Sequence, residues 1–196
     1  MKLPLVIDLR ALETYSPFVR GIPDDFPLKY LAVFEGFIQS LKSKQCNEPY
    51  ENLLSQCLGL TNVGTKHGWD GVDNLENPME VYEYKPSSND RSPSGTINDD
   101  STAKIEKCDG LEGEGKKGWM ILAGIDKENF TFNCIYKFPL HIYSEDRKEY
   151  LRKLTEKNKS KEKQTRFTYS IGVSKSVKLC KQYNQDYYVW ERDKLS

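Results

Sequence analysis

The sequence predicts an α/β (α+β) domain, in which helices pack on a sheet of short strands. Residues 118–125 form a continuous apolar run, which is typical of a central strand covered on both faces. Residues 130–138 follow a turn and alternate well enough to be its hairpin partner. A charged helix, capped by Ser144, is expected to run to Asn158. The 196 residues suit one domain with its own core.

The amino-terminal part is predicted to be helical. We expect a short helix within residues 5–15, a longer one over residues 27–44 and a third over residues 49–58. In the longer helix, apolar residues recur mostly at three-to-four spacing, and its opening proline suits a first turn. Gly59 is expected to end the third helix.

Local composition assigns the remaining segments. Residues 79–84 read as a strand that Pro86 ends. Residues 87–101 contain almost nothing apolar, and composition alone indicates a flexible linker. Residues 164–180 are predicted to form two short strands, and the aromatic tail at residues 183–190 to pack back on the body.

The cysteine and histidine content argues against a zinc site. The five cysteines are odd in number and none forms a CxxC pair, so a reducing, cytoplasmic compartment is expected. His67 and His141 have no Cys or His partner at ligand spacing. No run approaches the roughly 18 apolar residues of a transmembrane helix, so no membrane partner is expected.

Charge is unevenly distributed, although the formal net charge is zero. Residues 1–100 carry 9 Lys/Arg and 15 Asp/Glu, whereas residues 101–196 carry 20 and 14. Residues 152–181 alone contain ten basic residues against two acidic ones. Such a local concentration of positive charge suits phosphate binding. A solvated helix and loop is the alternative interpretation.

Two carboxylates and one lysine form the most informative pattern. Asp70 lies between two glycines, and a strand-like run that contains Glu83 and Lys85 follows. Residues two apart on a strand face the same way, so Glu83 and Lys85 should project together, and a hairpin-like return could bring Asp70 beside them. Mg²⁺ prefers a few carboxylate oxygens, its own waters and a phosphate. The pattern therefore indicates phosphodiester hydrolysis with a bound Mg²⁺.

The same residues also have a structural interpretation. Asp70 could be a turn residue, and Glu83 with Lys85 could be an exposed ion pair worth under about 1 kcal/mol. Asp73 and Glu80 are further carboxylates that could help to hold the metal, or simply face solvent.

The order of these segments resembles the PD-(D/E)xK nuclease superfamily, and residues 53–153 look like the PvuII-type restriction endonucleases. The matching pieces, in chain order, are Leu53-Leu54, Gly59-Leu60, Gly68-x-Asp70-x-Val72-Asp73-Asn74, Glu83-Tyr84-Lys85, Gly118-Trp119-Met120-Ile121 and Ile135-Tyr136.

The resemblance implies that Asp70 and Glu83 hold Mg²⁺ and that Lys85 positions or activates the attacking water. It implies a restriction-endonuclease-like mixed central sheet flanked by helices, within a single nuclease domain. Residues 1–58 would serve dimerisation, residues 59–156 catalysis, and the basic strands of residues 157–196 DNA binding. The partners would be double-stranded DNA and a second copy of the chain, with the 27–44 helix making the contact.

Two segments are expected to read DNA. The family reads bases from a loop after the catalytic strand, and short polar side chains can bind base edges there. A basic strand lying along a groove would supply further contacts. The family has histidines in the loop, whereas this chain has Asn and Asp, so the recognition sequence is not transferred. The expected DNA-binding residues are Asn98, Asp99, Asp100, Ser101, Lys163, Gln164, Thr165 and Arg166.

The function expected from residues and resemblance together is a Mg²⁺-dependent type II restriction endonuclease. A structure-specific repair or recombination nuclease would keep the same metal site and cut branched DNA. A non-catalytic DNA-binding protein would keep the fold and the basic segment without turnover.

Overall fold

The computed structural model describes residues 1–12, 48–62, 69–73, 80–97, 117–158 and 168–192. Their helices are α1 (Leu9–Leu12), α2 (Glu48–Leu58), α3 (Ser144–Asn158) and α4 (Val173–Gln182), with a 3-10 turn at Leu140–Tyr143. Their strands are β1 (Lys2–Pro4), β2 (Thr61–Asn62), β3 (Gly71–Asp73), β4 (Glu80–Ser87), β5 (Ser94–Ile97), β6 (Lys117–Asp126), β7 (Thr131–Pro139), β8 (Tyr169–Gly172) and β9 (Tyr187–Glu191).

A mixed sheet organises these elements, with strand order β1-β9-β7-β6-β4-β3-β2. The pairs β1–β9 and β4–β6 are parallel, and the other pairs are antiparallel. A separate two-stranded sheet joins β5 to β8. The predicted class, a mixed sheet with helices packed on it, is therefore confirmed.

Strand β6 lies in the middle of the core, as its apolar run predicts. Its alternating side chains enter two clusters on opposite faces of the sheet: Trp119 and Ile121 pack with α2, and Met120 and Leu122 pack with β5, β8 and α4. Its antiparallel partner β7 confirms the predicted hairpin. The sheet is covered on both faces, which is why β6 shows no polar alternation.

Strand β4 continues past Pro86 to Ser87, so the expectation that this proline ends the strand is wrong. Strand β3 pairs only with residues 80–82, whereas the parallel pairing with β6 extends to Ser87. Among the described residues, no strand pairs with β4 at Pro86 on the β3 side, so the missing N–H of this proline breaks no described ladder bond.

The prediction of a flexible linker over residues 87–101 is wrong for residues 94–97, which form β5. Ile97 is fully buried in the same cluster as Met120 and Leu122, and it anchors this otherwise polar segment. A single buried residue in a short strand carries too little periodicity to be recognised in sequence.

Two short strands were expected over residues 164–180, but the described part is β8 followed by the helix α4. Gly172 is the residue at which strand becomes helix. Ser176 Oγ donates to the Gly172 carbonyl at 2.8 Å and lies 2.7 Å from the Tyr143 hydroxyl. The aromatic tail does pack back, as β9 between β1 and β7.

The predicted helix over residues 49–58 is confirmed as α2, and Gly59 ends it with φ +67°. Only α1 represents the helix expected within residues 5–15, and residues 27–44 lie outside the described part. Helix α3 has the predicted extent, but Ser144 is itself helical (φ −58°, ψ −60°), because the 3-10 turn runs directly into it.

Three of the cysteines lie in the described part of the chain. Cys57, Cys134 and Cys180 are buried and form no disulfide. In the part of the chain that the structure describes, no helix combines the length and apolar character needed to cross a membrane.

Candidate active site

Strand β3 places Asp70 beside β4. Gly71 is in register with Tyr82, and the Asp70 amide donates to the Tyr82 carbonyl at 3.0 Å. Asp70 Oδ2 in turn accepts the Tyr84 amide at 2.7 Å. The carboxylate therefore lies against the backbone of the residue between Glu83 and Lys85, as the hairpin-like return predicts.

A glycine after Asp70 is needed for this approach. A Cβ at Gly71 would overlap the Tyr84 hydroxyl and lie 2.8 Å from its ring carbon Cζ. The Tyr84 hydroxyl is also 3.0 Å from Ser55 Oγ on α2, so it cannot move aside without breaking that hydrogen bond. Helix, tyrosine and glycine together hold the Asp70 turn against β4.

Glu83 and Lys85 project from the opposite face of β4 to Tyr84. Lys85 Nζ donates to Glu83 Oε2 at 3.2 Å, which confirms that the two side chains share a face. The Glu83 side chain is 5% exposed and the Lys85 side chain 23% exposed. An ordinary exposed pair on a strand would be far more open, so the solvated-pair interpretation does not describe this geometry.

Glu51 is a carboxylate near the site that sequence reasoning missed. It lies on α2 four residues before Ser55, hence on the same helix face, which Ser55 brings to Tyr84. Burial and the charges of Asp70, Glu48 and Glu83 raise the pKa of Glu51 from 4.5 to about 7, although Lys85 opposes the rise. In sequence, a glutamate in a first helical turn only complements the helix dipole, so nothing singled it out.

Oxygen donors of this kind suit a hard cation such as Mg²⁺. Burial raises the pKa of Glu51 most, and the neighbouring negative charges add to the rise. A bound cation would favour the ionised form of these carboxylates. Within the described ranges, no group of three or more His, Cys, Asp or Glu side chains is gathered closely enough to hold a metal. A Mg²⁺ ion at this site would therefore take two carboxylates as ligands and complete its coordination with waters and a phosphate.

Glu80 belongs to a different cluster, on the α2 face of the sheet. Its carboxylate is 3.2 Å from both Lys117 Nζ and Lys137 Nζ and accepts the Tyr82 hydroxyl at 2.5 Å. Asp73 stands opposite Glu80 in register, at the same end of β4. The structure therefore separates both of these additional carboxylates from the Glu83–Lys85 face.

The eight predicted DNA-binding residues, at 98–101 and 163–166, all lie outside the described residues. Of the described residues, Ile97 at the end of β5 pairs with Tyr169 at the start of β8, in the two-stranded β5–β8 ribbon. The exposed residues of this ribbon and of its approach are short and hydroxylated: Ser94, Thr96, Thr168 and Ser170.

The wild type is expected to lose stability as the pH rises, and Glu51→Gln is expected to lose less. The pKa of Glu51 is higher in the folded state, so in the wild type stability falls as pH rises from about 4.5 through 7. Discounted for partial exposure, the difference between wild type and variant should change by about 1 kcal/mol over this range. Urea unfolding at pH 5 and pH 8 in EDTA measures it.

Adding Mg²⁺ at pH 8 should stabilise the wild type more than Glu51→Gln. The exposed Glu145→Gln substitution on α3 is the matched control and should follow the wild type under all these conditions. If the stabilities of the wild type and Glu51→Gln changed in parallel with pH, the raised pKa of Glu51 would be contradicted.

The candidate site thus combines a turn before β3, the middle of β4 and the first turns of α2. Its assignment depends on this geometry and on the chemistry of the donors. In comparisons with known proteins, no family model matches the chain, and neither a curated protein nor a solved structure matches it.

Proposed function

We propose that this chain is a Mg²⁺-dependent type II restriction endonuclease that makes sequence-specific double-strand cuts in DNA. One observation carries the proposal: the Asp70 carboxylate accepts a hydrogen bond from the amide of Tyr84, and the residues on either side of Tyr84 in sequence, Glu83 and Lys85, form an ion pair. An acid in the turn before β3, together with an acid and a lysine on β4, suits hydrolysis of a phosphodiester.

Asp70 and Glu83 would hold the Mg²⁺, which when bound polarises the phosphate and lowers the pKa of a bound water. The Tyr84 amide fixes the orientation of the Asp70 carboxylate. Lys85 has three N–H donors, of which one reaches Glu83, and the others can position the attacking water. Water attacks phosphorus in line, the bond from phosphorus to the 3′ oxygen breaks, and a 3′-hydroxyl and a 5′-phosphate result.

The β5–β8 ribbon supports a DNA substrate. A two-stranded ribbon can enter the major groove, where serine and threonine hydroxyls contact base edges and phosphates. Thr96 and Ser170 are paired in register, and both are exposed. The exposed Lys178 lies on α4, the helix that directly follows β8 in sequence, and it adds positive charge there.

Cutting both strands of a duplex implies two active sites, and we propose that a homodimer supplies them. A second copy of the ribbon would then read the other half of a symmetric DNA site. The helix expected to form the subunit contact, residues 27–44, lies outside the described part.

Digestion of a linear genome tests the proposal. With Mg²⁺, discrete bands are expected, and with EDTA or Ca²⁺ in its place, intact DNA. Sequencing the fragment ends would then give the recognition site and the cut stagger.

Two other results would each replace the proposal. Cleavage confined to branched or forked DNA would identify a structure-specific nuclease that uses the same carboxylates. Binding without cleavage of any DNA substrate, at any divalent ion, would leave a DNA-binding protein.

A further inference from the structure

Gly95 of β5 lies directly on the side chain of Lys85. A Cβ at Gly95 would be 2.8 Å from both Cβ and Cγ of Lys85 and 3.1 Å from its Cδ. Real Cβ atoms essentially never approach closer than 3.0 Å, so only glycine lets β5 come this near. The overlap involves the first part of the lysine stem, which cannot swing away as a flexible end would.

The ribbon cannot easily retreat from Lys85. Gly95 is in register with Ile171, and Ile97 is in register with Tyr169. The side chains of Ile97, Tyr169 and Ile171 are buried in the cluster that contains Met120. The Tyr169 hydroxyl also donates to Asp146 Oδ2 on α3 at 2.5 Å. Apolar burial and this hydrogen bond therefore hold β5 at a fixed height above β4.

Lys85 is confined as a consequence. Its stem lies under the Gly95 backbone, and its ammonium reaches Glu83 Oε2 at 3.2 Å. A lysine ordinarily has many rotamers, and holding it in one of them places its charge without a further hydrogen bond. The ribbon thus limits where the ammonium can lie.

We propose that Gly95 is a positioning residue, through which the β5–β8 ribbon sets the place of the Lys85 ammonium at the scissile phosphate. This inference rests on the proposed nuclease function and adds to it a residue that positions the lysine. The ribbon that would contact DNA on its exposed side contacts the catalytic lysine on its other side. The fixed place of the ribbon is thus passed to the reacting centre by direct contact.

Gly95→Ala tests this, with Gly172→Ala as the matched control. A Cβ at Gly172, on the same ribbon, would lie 3.5 Å from Ser94 Cβ and 3.9 Å from the Pro93 carbonyl oxygen, and both are ordinary contacts. With saturating enzyme and Mg²⁺, Gly95→Ala should lower the cleavage rate about 10- to 100-fold, since small misplacements of a reacting group are this costly. Affinity for DNA in Ca²⁺ should be nearly unchanged, and Gly172→Ala should match the wild type in both measurements.

A wild-type cleavage rate in Gly95→Ala overturns the proposal. An equal loss of rate in the two glycine variants overturns it too, because the effect would then belong to the ribbon in general. A loss of DNA affinity that accounts for all of the lost activity overturns it as well, since positioning of Lys85 acts on the chemical step.

A folding experiment tests the contact between Gly95 and the Lys85 side chain independently of activity. Lys85→Gly removes all three of the atoms that a Gly95 Cβ would overlap. Gly95→Ala should lower the urea midpoint of the wild type and leave that of Lys85→Gly almost unchanged. Equal losses in the two backgrounds, or failure of the double variant to recover a fold that Gly95→Ala abolishes, overturn the assignment.

The two proposals can fail separately. If the wild type cleaves no DNA, the proposed function falls, while the folding cycle still shows whether Gly95 makes room for Lys85. If the wild type cleaves and Gly95→Ala cleaves equally well, the nuclease stands and the positioning role falls.

Discussion

Replacing Glu83 or Lys85 with alanine is expected to reduce cleavage of plasmid DNA at least 100- to 1,000-fold, on the order of the loss when one charged stabilising group is removed from an active site. The reason is that Glu83 would hold the metal and Lys85 the attacking water, so neither is replaced by its neighbours. DNA binding in Ca²⁺ should persist, because neither side chain is needed to bind the duplex as a whole.

Plasmid nicking under single-turnover conditions measures this effect, with urea unfolding of each variant to show that the fold is intact. Glu145→Ala, which removes a carboxylate paired with Lys148 but 69% exposed, is the matched control and should cleave at the wild-type rate. Wild-type rates in Glu83→Ala or Lys85→Ala would remove the assignment of the site.

Glu80→Gln is expected to give the largest loss of stability, about 3 kcal/mol, because it leaves the Lys137 ammonium buried without a carboxylate. Glu80 and Lys137 are 12% and 15% exposed and 3.2 Å apart, and Lys137 Nζ lies 4.2 Å from the centre of the Trp119 ring. Urea unfolding at pH 7 measures the loss, and Glu145→Gln, in an exposed pair, should change stability by under about 0.5 kcal/mol.

The effect should also depend on pH in a defined direction. Burial would raise the pKa of Glu80, but the Tyr82 hydroxyl and the Lys137 ammonium outweigh it and lower the pKa from 4.5 to about 2. A lowered pKa means that the stabilisation is complete above about pH 4.5 and is lost as pH falls toward 2. The gap between wild type and Glu80→Gln should therefore narrow over that range, and a constant gap would show that the pair contributes little.

Strand periodicity made part of the site predictable. Glu83 and Lys85 share a face because side chains alternate along any strand, and the apolar run of β6 suits a strand that is covered on both faces. The approach of Asp70 was predictable only as a possibility, since it depends on a hairpin register that the sequence does not specify.

The missed features depend on packing between distant segments. Glu51 joins the site because Ser55 docks α2 on Tyr84, a contact that no local pattern announces. The second of the two strands predicted within residues 164–180 is a helix. Val173 and Val177 favour strands in isolation, whereas the buried spacing of Ser176, Leu179 and Cys180 is helical. In β5, one buried isoleucine was too little signal against a polar background.

Neighbouring side chains of β4 point to opposite faces of the sheet. Glu80 and Tyr82 face α2 and belong to the ion cluster, whereas Glu83 and Lys85 face the ribbon. If the proposed function is right, changes at Glu80 should lower the melting temperature and spare turnover, and changes at Lys85 should abolish turnover in a folded protein. Stability and activity could then be engineered independently within one short peptide.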